Sequence, residues 1–335
     1  MALRYHPGLH PCNHRPRGWG RSALLYTPPV RVTALAGGVG GAKLLVGLQR
    51  AVAGSELTVV VNTADDDTVY GAHVSPDLDI CTYWLAGLAD NERGWGIAGD
   101  SFATVEALGR LGVETWFRLG DRDLATCIHR TQRLAAGDTL TGVTDDIRRA
   151  LGVPSGVLPM SDDPVRTQIL CADGRRLDFQ EYFVRERHAP EVAGVSFSGI
   201  AEAKPGPDVL GAISEAERVV LCPSNPVVSI GPILALPGVR ETLRAHSSVV
   251  AVTPIVRGAP LKGPADKLLG ALGAKVSASG VASMYADFCN LFVVDASDPG
   301  ELERVSAQGV RAVPLDTIMT GHFASERLAR AILEL

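Results

Sequence analysis

The sequence predicts an α/β protein, with a doubly wound, Rossmann-like parallel sheet that carries a small, mostly helical insertion. Short apolar runs alternate along the chain with segments whose apolar residues recur at helical spacing. The runs are apolar without alternation, as in parallel strands whose two faces are both covered by helices. A glycine-rich loop follows the first run, so the chain opens with a strand, a turn and a helix.

The repeating unit can be followed along the chain. Residues 32–36 form the first predicted strand, 44–52 have a helical pattern, and 57–62 form the second strand. A helical stretch around residues 80–88 follows, and residues 118–165 are predicted to form a helical cap inserted into the main domain of residues 31–335. The remaining predicted strands and helices are residues 218–222, 233 onward, 249–253, 265–272, 291–294 and 323–335.

The composition limits the possible functions. The 335 residues contain 32 Lys and Arg against 37 Asp and Glu, and the net charge of −5 gives no sequence-wide argument for binding nucleic acid or an anionic membrane. No stretch approaches the roughly 18 apolar residues of a membrane-spanning helix. The six cysteines form no C-x-x-C pair. We therefore expect a cytoplasmic protein with reduced thiols.

Residues 1–30 differ from the rest of the chain. They hold four arginines, five prolines and no acidic residue. His6, His10 and His14 would align on a helix as metal ligands, but the prolines between them oppose that helix. We predict a disordered extension without a metal site.

The loop after the first strand reads Gly-Gly-Val-Gly-Gly-Ala-Lys. Glycines let backbone N–H groups approach a ligand, and the positive end of the next helix favours phosphate. Gly38, Gly40 and Lys43 are therefore candidate diphosphate-binding residues, although a simple tight turn would use the same glycines. A Walker loop would have Ser or Thr at Leu44, and a dinucleotide fold would have an acidic residue at Asn62.

Five carboxylates follow the second predicted strand: Asp65, Asp66, Asp67, Asp77 and Asp79. Carboxylates gathered at the end of one strand repel each other unless a cation compensates them. Mg²⁺ is the natural partner where phosphate oxygens supply further ligands. The alternative is a solvated acidic run with a helix cap at Asp77 or Asp79.

Three further segments carry polar candidates. Arg118 precedes the sequence Leu-Gly-Asp-Arg-Asp, whose alternating charges are also typical of a structural ion-pair lattice. The loop Pro-Ser-Asn-Pro-Val-Val-Ser-Ile-Gly-Pro offers Ser224, Asn225 and Ser229 to a nucleotide. Residues 253–266 repeat this design with added cations.

These segments, taken in order, resemble the CofD family of 2-phospho-L-lactate transferases. Six motifs carry the resemblance: the glycine loop, Asn-Thr with the Asp run, Ser-Pro-Asp-Leu-Asp, Leu-Gly-Asp-Arg-Asp, Met-Ser-Asp-Asp-Pro, and Pro-Ser-Asn-Pro with Ser-Ile-Gly-Pro. The resemblance implies transfer from a guanosine diphospho-linked lactate, or an enolpyruvyl analogue, to the terminal hydroxyl of the 5-deazaflavin alcohol Fo. GMP leaves, and the product belongs to coenzyme F-420 biosynthesis. Mg²⁺ and a homodimer are also implied.

The same resemblance implies that Asp79 and Arg118 contact the deazaflavin, and that the glycine loop and the Pro-Ser-Asn-Pro loop hold the guanosine diphosphate portion. From the chemistry of phosphoryl transfer, we expect Asp65 and Asp66 to hold Mg²⁺. Asp66 and Asp79 are the predicted catalytic residues, Asp79 by orienting or partly deprotonating the Fo hydroxyl. Lys43 would steady the diphosphate.

Two departures from the family pattern leave the donor and the metal ligands open. Gly41-Ala42 stands where archaeal members commonly have Thr-Pro, and the Asp run is denser than the usual acidic pair. Two other functions remain as alternatives. A nucleotide-sugar-binding regulator of the gluconeogenesis-factor type would bind nucleotide without transfer, and a nicotinamide-dependent oxidoreductase is disfavoured by Asn62.

Overall fold

The structure is a computed structural model that describes residues 30–335, so the extension predicted for residues 1–30 lies outside the described residues except for its last one. The helices are α1 (Gly38–Ala51), α2 (Pro76–Leu85), α3 (Ala103–Arg110), α4 (Asp121–Ala135), α5 (Leu140–Ala150), α6 (Val209–Glu215), α7 (Ile230–Ala235), α8 (Val239–Ala245), α9 (Ala265–Ala271), α10 (Ala278–Tyr285), α11 (Gly300–Ser306) and α12 (His322–Glu334). The strands are β1 (Val32–Ala36), β2 (Leu57–Val61), β3 (Asp67–Val69), β4 (Ala72–Val74), β5 (Gly156–Pro159), β6 (Arg166–Cys171), β7 (Arg176–Asp178), β8 (Val192–Ser198), β9 (Arg218–Leu221), β10 (Val249–Val252), β11 (Ile255–Val256), β12 (Ala259–Pro260), β13 (Leu291–Asp295) and β14 (Arg311–Leu315).

Seven strands form one central sheet in the order β14-β13-β10-β9-β1-β2-β5, and every pair in it is parallel. Each face of the sheet packs into its own hydrophobic core. Successive residues of β1 show this, because Leu35 belongs to one core while Ala34 and Ala36 belong to the other. The predicted doubly wound fold with both faces covered is therefore confirmed.

The five predicted strands agree with β1, β2, β9, β10 and β13 to within a residue at either end. The two edge strands of the sheet, β5 and β14, are not among the predictions. Strand β14 is only partly buried and contains Pro314, so it lacks a continuous apolar run. Strand β5 is four residues long and alternates between partly and fully buried positions. A short edge strand therefore gives a weaker sequence signal than a central one.

The chain between β2 and β5 contains the β3–β4 hairpin and the helices α2 to α5. The predicted cap of residues 118–165 includes α4 and α5, but it also includes β5, which pairs with β2 in the central sheet. The predicted C-terminal bound of the cap is therefore wrong, because Val157 is buried in the core of the main domain. A second, three-stranded antiparallel sheet follows in the order β7-β6-β8.

Among residues 30–335, no helix is both long and apolar enough to cross a membrane. The five cysteines of this part of the chain are buried and unpaired.

Candidate active site

The candidate site lies where the strand order of the sheet reverses. Strand β1 pairs with β2 on one side and with β9 on the other, so the loops that follow β1 and β9 flank a crevice at the carboxyl edge. The backbone N–H of Gly37, directly after β1, donates to Oγ of Ser224, which follows β9, at 3.1 Å. Two loops that the sequence analysis selected therefore meet at this point.

The glycines after β1 are required for close packing. A methyl group on Gly37 would overlap the carboxylate of Asp77, and one on Gly40 would overlap the carbonyl oxygen of Pro223. Helix α1 begins at Gly38, whose φ of +62° favours glycine and whose N–H donates to Oδ1 of Asp77 at 2.8 Å. The next N–H groups in the first turn of α1 have no partner within the helix. They remain available to an anion in the crevice.

Asn62 holds two carboxylates together directly after β2. It is fully buried, and its Nδ2 donates to Oδ2 of Asp65 at 3.1 Å and to Oδ2 of Asp77 at 3.0 Å. Its own Oδ1 accepts from the N–H of Ala64 at 3.0 Å. In the sequence analysis this residue served only as an argument against a dinucleotide fold. The structure assigns it a positive role, because one amide fixes the separation of two acidic groups.

The Asp run divides between the interior and the surface. Asp66 is 3% exposed, and its oxygens accept from Oγ of Ser75 at 2.6 Å and lie 2.9 Å from Nε2 of His73. Asp67 begins β3, is half-buried, and accepts from the N–H of Thr68. Only the first two members of the run therefore face the site.

Four buried carboxylates gather here: Asp65, Asp66, Asp77 and Asp79. Burial and the charge of Asp77 raise the pKa of Asp65 well above its usual range. Burial likewise raises the pKa of Asp77 to about 6, against the opposing hydrogen bonds from Asn62 and Gly38. Oδ1 of Asp65 is buried without a hydrogen-bond partner among the described residues. An orphaned carboxylate oxygen amid like charges fits the donor set of a hard divalent cation.

Asp79 lies in the first turn of α2 and forms a buried ion pair with Arg130 of α4. Nη1 of Arg130 donates to Oδ2 of Asp79 at 3.1 Å, and Nη2 donates to Oδ1. Burial raises the pKa of Asp79, while the guanidinium of Arg130 opposes that increase. Both oxygens of the predicted catalytic carboxylate are thus engaged in this arrangement.

Three further ionisable groups lie beside this pair. The hydroxyl of Tyr83 donates to Oδ1 of Asp123 at 2.9 Å, and the ligand atoms of Asp79, Asp123 and Cys127 all lie within 4.8 Å of one another. Burial, followed by the charge of Asp79, raises the pKa of Asp123 to about 7. The nearby guanidinium of Arg130 makes this cluster a poor cation site, since the positive charge is already supplied.

Sequence reasoning missed Arg130, although a signal was present. Positions 123, 127 and 130 follow the spacing of one helical face, and each carries a polar or ionisable group. The predicted candidate Arg118 lies just before α4 and is exposed. Its guanidinium stands 4.4 Å from the ring centroid of Phe102.

The three predicted nucleotide-binding residues after β9 differ from one another in their contacts. Ser224 and Ser229 are both buried, and both lie beside Gly37. Oδ1 of Asn225 accepts from the backbone N–H groups two and three residues later, at 3.0 and 3.3 Å. Asn225 therefore shapes its own loop, and the two serines join that loop to the glycine loop after β1.

Lys43 contacts residues outside the acidic cluster and the loop after β9. Its Nζ lies 3.4 Å from the carbonyl oxygen of Met319 and 5.9 Å from the ring centroid of Trp84, in a cavity of about 260 Å³ that α12 borders. Burial and the charge of Lys262 lower the pKa of Lys43. No hydrogen bond within residues 30–335 joins this lysine to Asp77 or to Ser224.

Comparisons with known proteins indicate the family of this chain. The profile of a family described as "2-phospho-L-lactate transferase CofD" matches residues 32–331. Over 298 residues the chain is 44% identical to a "2-phospho-L-lactate transferase" of Methanosarcina mazei, covering 89% of this chain and 98% of that protein. Over 312 residues it is 43% identical to a "Phosphoenolpyruvate transferase" of Streptomyces griseus, with 91% and 98% covered.

A solved structure of a UPF0052-family protein from Bacillus halodurans is also similar, with a TM-score of 0.63 at 15% identity. The match covers 91% of this chain and 99% of that one. At this identity the likeness concerns the fold alone.

Proposed function

The chain belongs to the CofD family and is an enzyme of the 2-phospho-L-lactate transferase type, and on that premise we propose its substrates. The donor is a guanosine diphospho-linked three-carbon acid, and the acceptor is the terminal hydroxyl of Fo. The reaction releases GMP and yields a precursor of coenzyme F-420. The observation that carries this proposal is the family match over residues 32–331, which contains the whole crevice. The homodimer and the cytoplasmic location remain predictions.

The identity of the three-carbon acid is a separate question. Relatives named for phospholactate and relatives named for phosphoenolpyruvate match this chain at nearly the same identity, 44% and 43%. Overall similarity therefore does not separate the two donors. We include both in the proposal and distinguish them by product mass.

Different residues of the crevice are assigned to different parts of the transfer. The hydroxyl oxygen attacks the phosphorus that bears the three-carbon acid, and its proton passes to the carboxylate of Asp79. The bond from that phosphorus to the bridging oxygen breaks, and GMP leaves with the electron pair of that bond. In our proposal the diphosphate is bound by the free N–H groups of α1, including that of Gly40, and by Ser224 and Ser229. Asp79 and Arg118 orient Fo. Positioning and charge neutralisation supply most of the catalysis in phosphoryl transfer.

We propose that Asp65 and Asp66 hold Mg²⁺, with the structure adding Asp77 as a neighbour of Asp65 through Asn62. The ion would neutralise negative charge on the diphosphate oxygens. Oδ1 of Asp65 is the best-suited donor, because it is buried and unpartnered. Asp66 is already held by Ser75, so it would bind directly or through water.

The test is a transfer assay. The purified protein is incubated with Fo, Mg²⁺ and each guanosine diphospho-linked acid, and GMP release and the mass of the deazaflavin product are followed. We expect a phosphodiester of Fo that forms only with the metal, and its mass identifies the donor. Tight nucleotide binding without product from any donor would contradict the proposal and favour the nucleotide-binding regulator.

Within the same assay, Asp79→Asn is expected to reduce turnover by on the order of 100-fold while donor affinity changes little, because the residue acts on the acceptor. Donor affinity is measured by calorimetry. Asp67→Asn is the matched control, since Asp67 lies outside the site and an asparagine oxygen can still accept from Thr68. Equal losses of turnover and donor affinity would contradict the role of Asp79.

A further inference from the structure

We propose that Arg130 is a positioning residue, which holds the carboxylate of Asp79 in the orientation that meets the acceptor hydroxyl. The inference rests on the proposed function, in which Asp79 orients Fo. None of the family motifs that the sequence analysis identified includes Arg130, which lies on α4 beyond the Gly-Asp-Arg-Asp segment.

The first argument is the geometry of the pair. Arg130 is 1% exposed, and its two terminal nitrogens engage both oxygens of Asp79. A planar guanidinium that binds a carboxylate in this forked manner fixes its plane as well as its position. The rotation of the Asp79 side chain is therefore set from α4, while its backbone belongs to α2.

The second argument is that Arg130 also contacts the backbone of His73, a residue whose ring lies beside Asp66, the other predicted catalytic carboxylate. Its Nη1 also donates to the carbonyl oxygen of His73 at 3.2 Å. The ring of His73, in turn, lies 2.9 Å from Asp66. One buried side chain thus contacts Asp79 directly and supports the neighbour of Asp66.

The third argument concerns the competing charge of Asp123. This buried carboxylate approaches Asp79 within the same cluster, and Tyr83 holds one of its oxygens. Two carboxylates this close repel each other unless a cation lies between them. Without Arg130, this repulsion is relieved only if the two side chains move apart or one of them is protonated, and either change alters how Asp79 meets the acceptor.

The experiment compares Arg130→Met and Arg130→Lys with the wild type. We expect Arg130→Met to lower kcat/KM for Fo by roughly 10- to 100-fold, as when the outer partner of a ligating side chain is removed, with the donor KM almost unchanged. Arg130→Lys keeps the charge without the fork and is expected to recover part of the loss. Arg133→Met is the control, because Arg133 lies on the same helix but pairs with Asp138 and Asp146 at the surface.

Folding is monitored by the thermal midpoint of each variant. If Arg130→Met leaves Asp79 uncompensated and fails to fold, Arg130→Lys and the double variant Asp79→Asn/Arg130→Met serve in its place. The double variant is expected to be no less active than Asp79→Asn alone, since both changes remove one function. If Arg130→Met weakens the kinetics for donor and acceptor equally, and in proportion to the fall in the thermal midpoint, Arg130 has a structural role and the inference is overturned.

Calorimetric binding of Fo separates this inference from the proposed function. Weaker Fo binding by Arg130→Met, with no product from the wild type, would support the inference and refute the proposed transfer. An active wild type with Arg130→Lys and Arg130→Met variants that bind and convert Fo normally would overturn the inference alone.

Discussion

Asn62 shows how a single amide can organise an acidic site. One nitrogen donates to Asp65 and to Asp77, and the oxygen anchors the turn through Ala64. An aspartate at this position would add another negative charge and remove both donors. In a dinucleotide fold, an acidic residue at this position hydrogen-bonds the ribose. The chemistry of the crevice therefore changes with this one residue.

At the scale of single residues, Asp123 gives a prediction for stability against pH. The pKa of Asp123 is raised from 3.8 to about 7 in the folded protein. Its contribution to stability is therefore complete below about pH 4 and is lost as the pH rises through about 7. Between pH 5 and 7 the wild type should lose on the order of 2 kcal/mol of unfolding free energy relative to Asp123→Asn.

Denaturant unfolding of both proteins at pH 5, 6, 7 and 8 measures this difference. The groups that face Asp123 are unchanged in the variant: Arg130, Asp79, Asp100, Tyr83 and Cys127. Asp145→Asn is the control, since Asp145 is paired with two arginines on α5 and is partly exposed. If the difference in unfolding free energy between the wild type and Asp123→Asn does not depend on pH, the raised pKa of Asp123 is refuted.

The sequence was sufficient to predict that Asp65, Asp66 and Asp77 lie at one edge of the sheet, because they follow a strand. It was not sufficient to predict the partner of Asp79. Arg130 lies 51 positions away on another helix, and only the packing of α4 on the β4 and α2 region brings the two together. Local patterns do not contain such a contact.

At the scale of secondary structure elements, helix α1 packs against two partners through glycine. Gly40 fits against the carbonyl of Pro223 at the crevice, and Gly47 fits against the backbone of Ser325 in α12. The sequence analysis interpreted the first glycines as phosphate-binding residues. In the structure they also remove side chains where two segments approach closely.

We expect Gly47→Ala to destabilise the protein by about 1–3 kcal/mol, the usual cost of overpacking, because the added methyl group would overlap the Ser325 backbone. Gly270→Ala on α9 is the matched control. Nothing lies within 4 Å of a methyl group there, so this change should stabilise by about 0.5–1 kcal/mol. Denaturant unfolding of both variants tests the pair, and similar values for the two would contradict the proposed α1–α12 contact.

Element boundaries could be predicted where burial is continuous. Strands β1, β9 and β13 are buried along nearly their whole length and were found within a residue. Strand β6, by contrast, alternates between buried and partly exposed residues in a small antiparallel sheet. Such an alternating strand lacks the continuous apolar run that predicts a parallel strand covered on both faces, so the sequence does not predict β6.

At the scale of the whole molecule, the proposed metal site predicts that stability depends on a cation. We expect Mg²⁺ to raise the thermal midpoint of the wild type by several degrees, because a ligand that binds only the folded state stabilises it by about 2.7 kcal/mol at 100 times its dissociation constant. Asp65→Asn should abolish most of this shift. In EDTA the variant should melt above the wild type, since it lacks one repelling charge.

Scanning calorimetry with Mg²⁺ and with EDTA measures both effects. Asp67→Asn again serves as the control, and it should respond to the metal like the wild type. Equal metal-dependent shifts in Asp65→Asn and the wild type would remove Asp65 from the predicted metal ligands.

The strand order also governs when the crevice can form during synthesis. Val32 of β1 pairs with Arg218 of β9, so the centre of the sheet joins segments that leave the ribosome far apart in time. Pairing across such a long loop is slow, because the chain must be ordered before the contact forms. The nascent chain can pair β1 with β2 early, yet it has no crevice until β9 emerges. Truncated products that end before β9 therefore contain the residues of the acidic cluster, but they lack the closed sheet centre and the serines of the loop that follows β9.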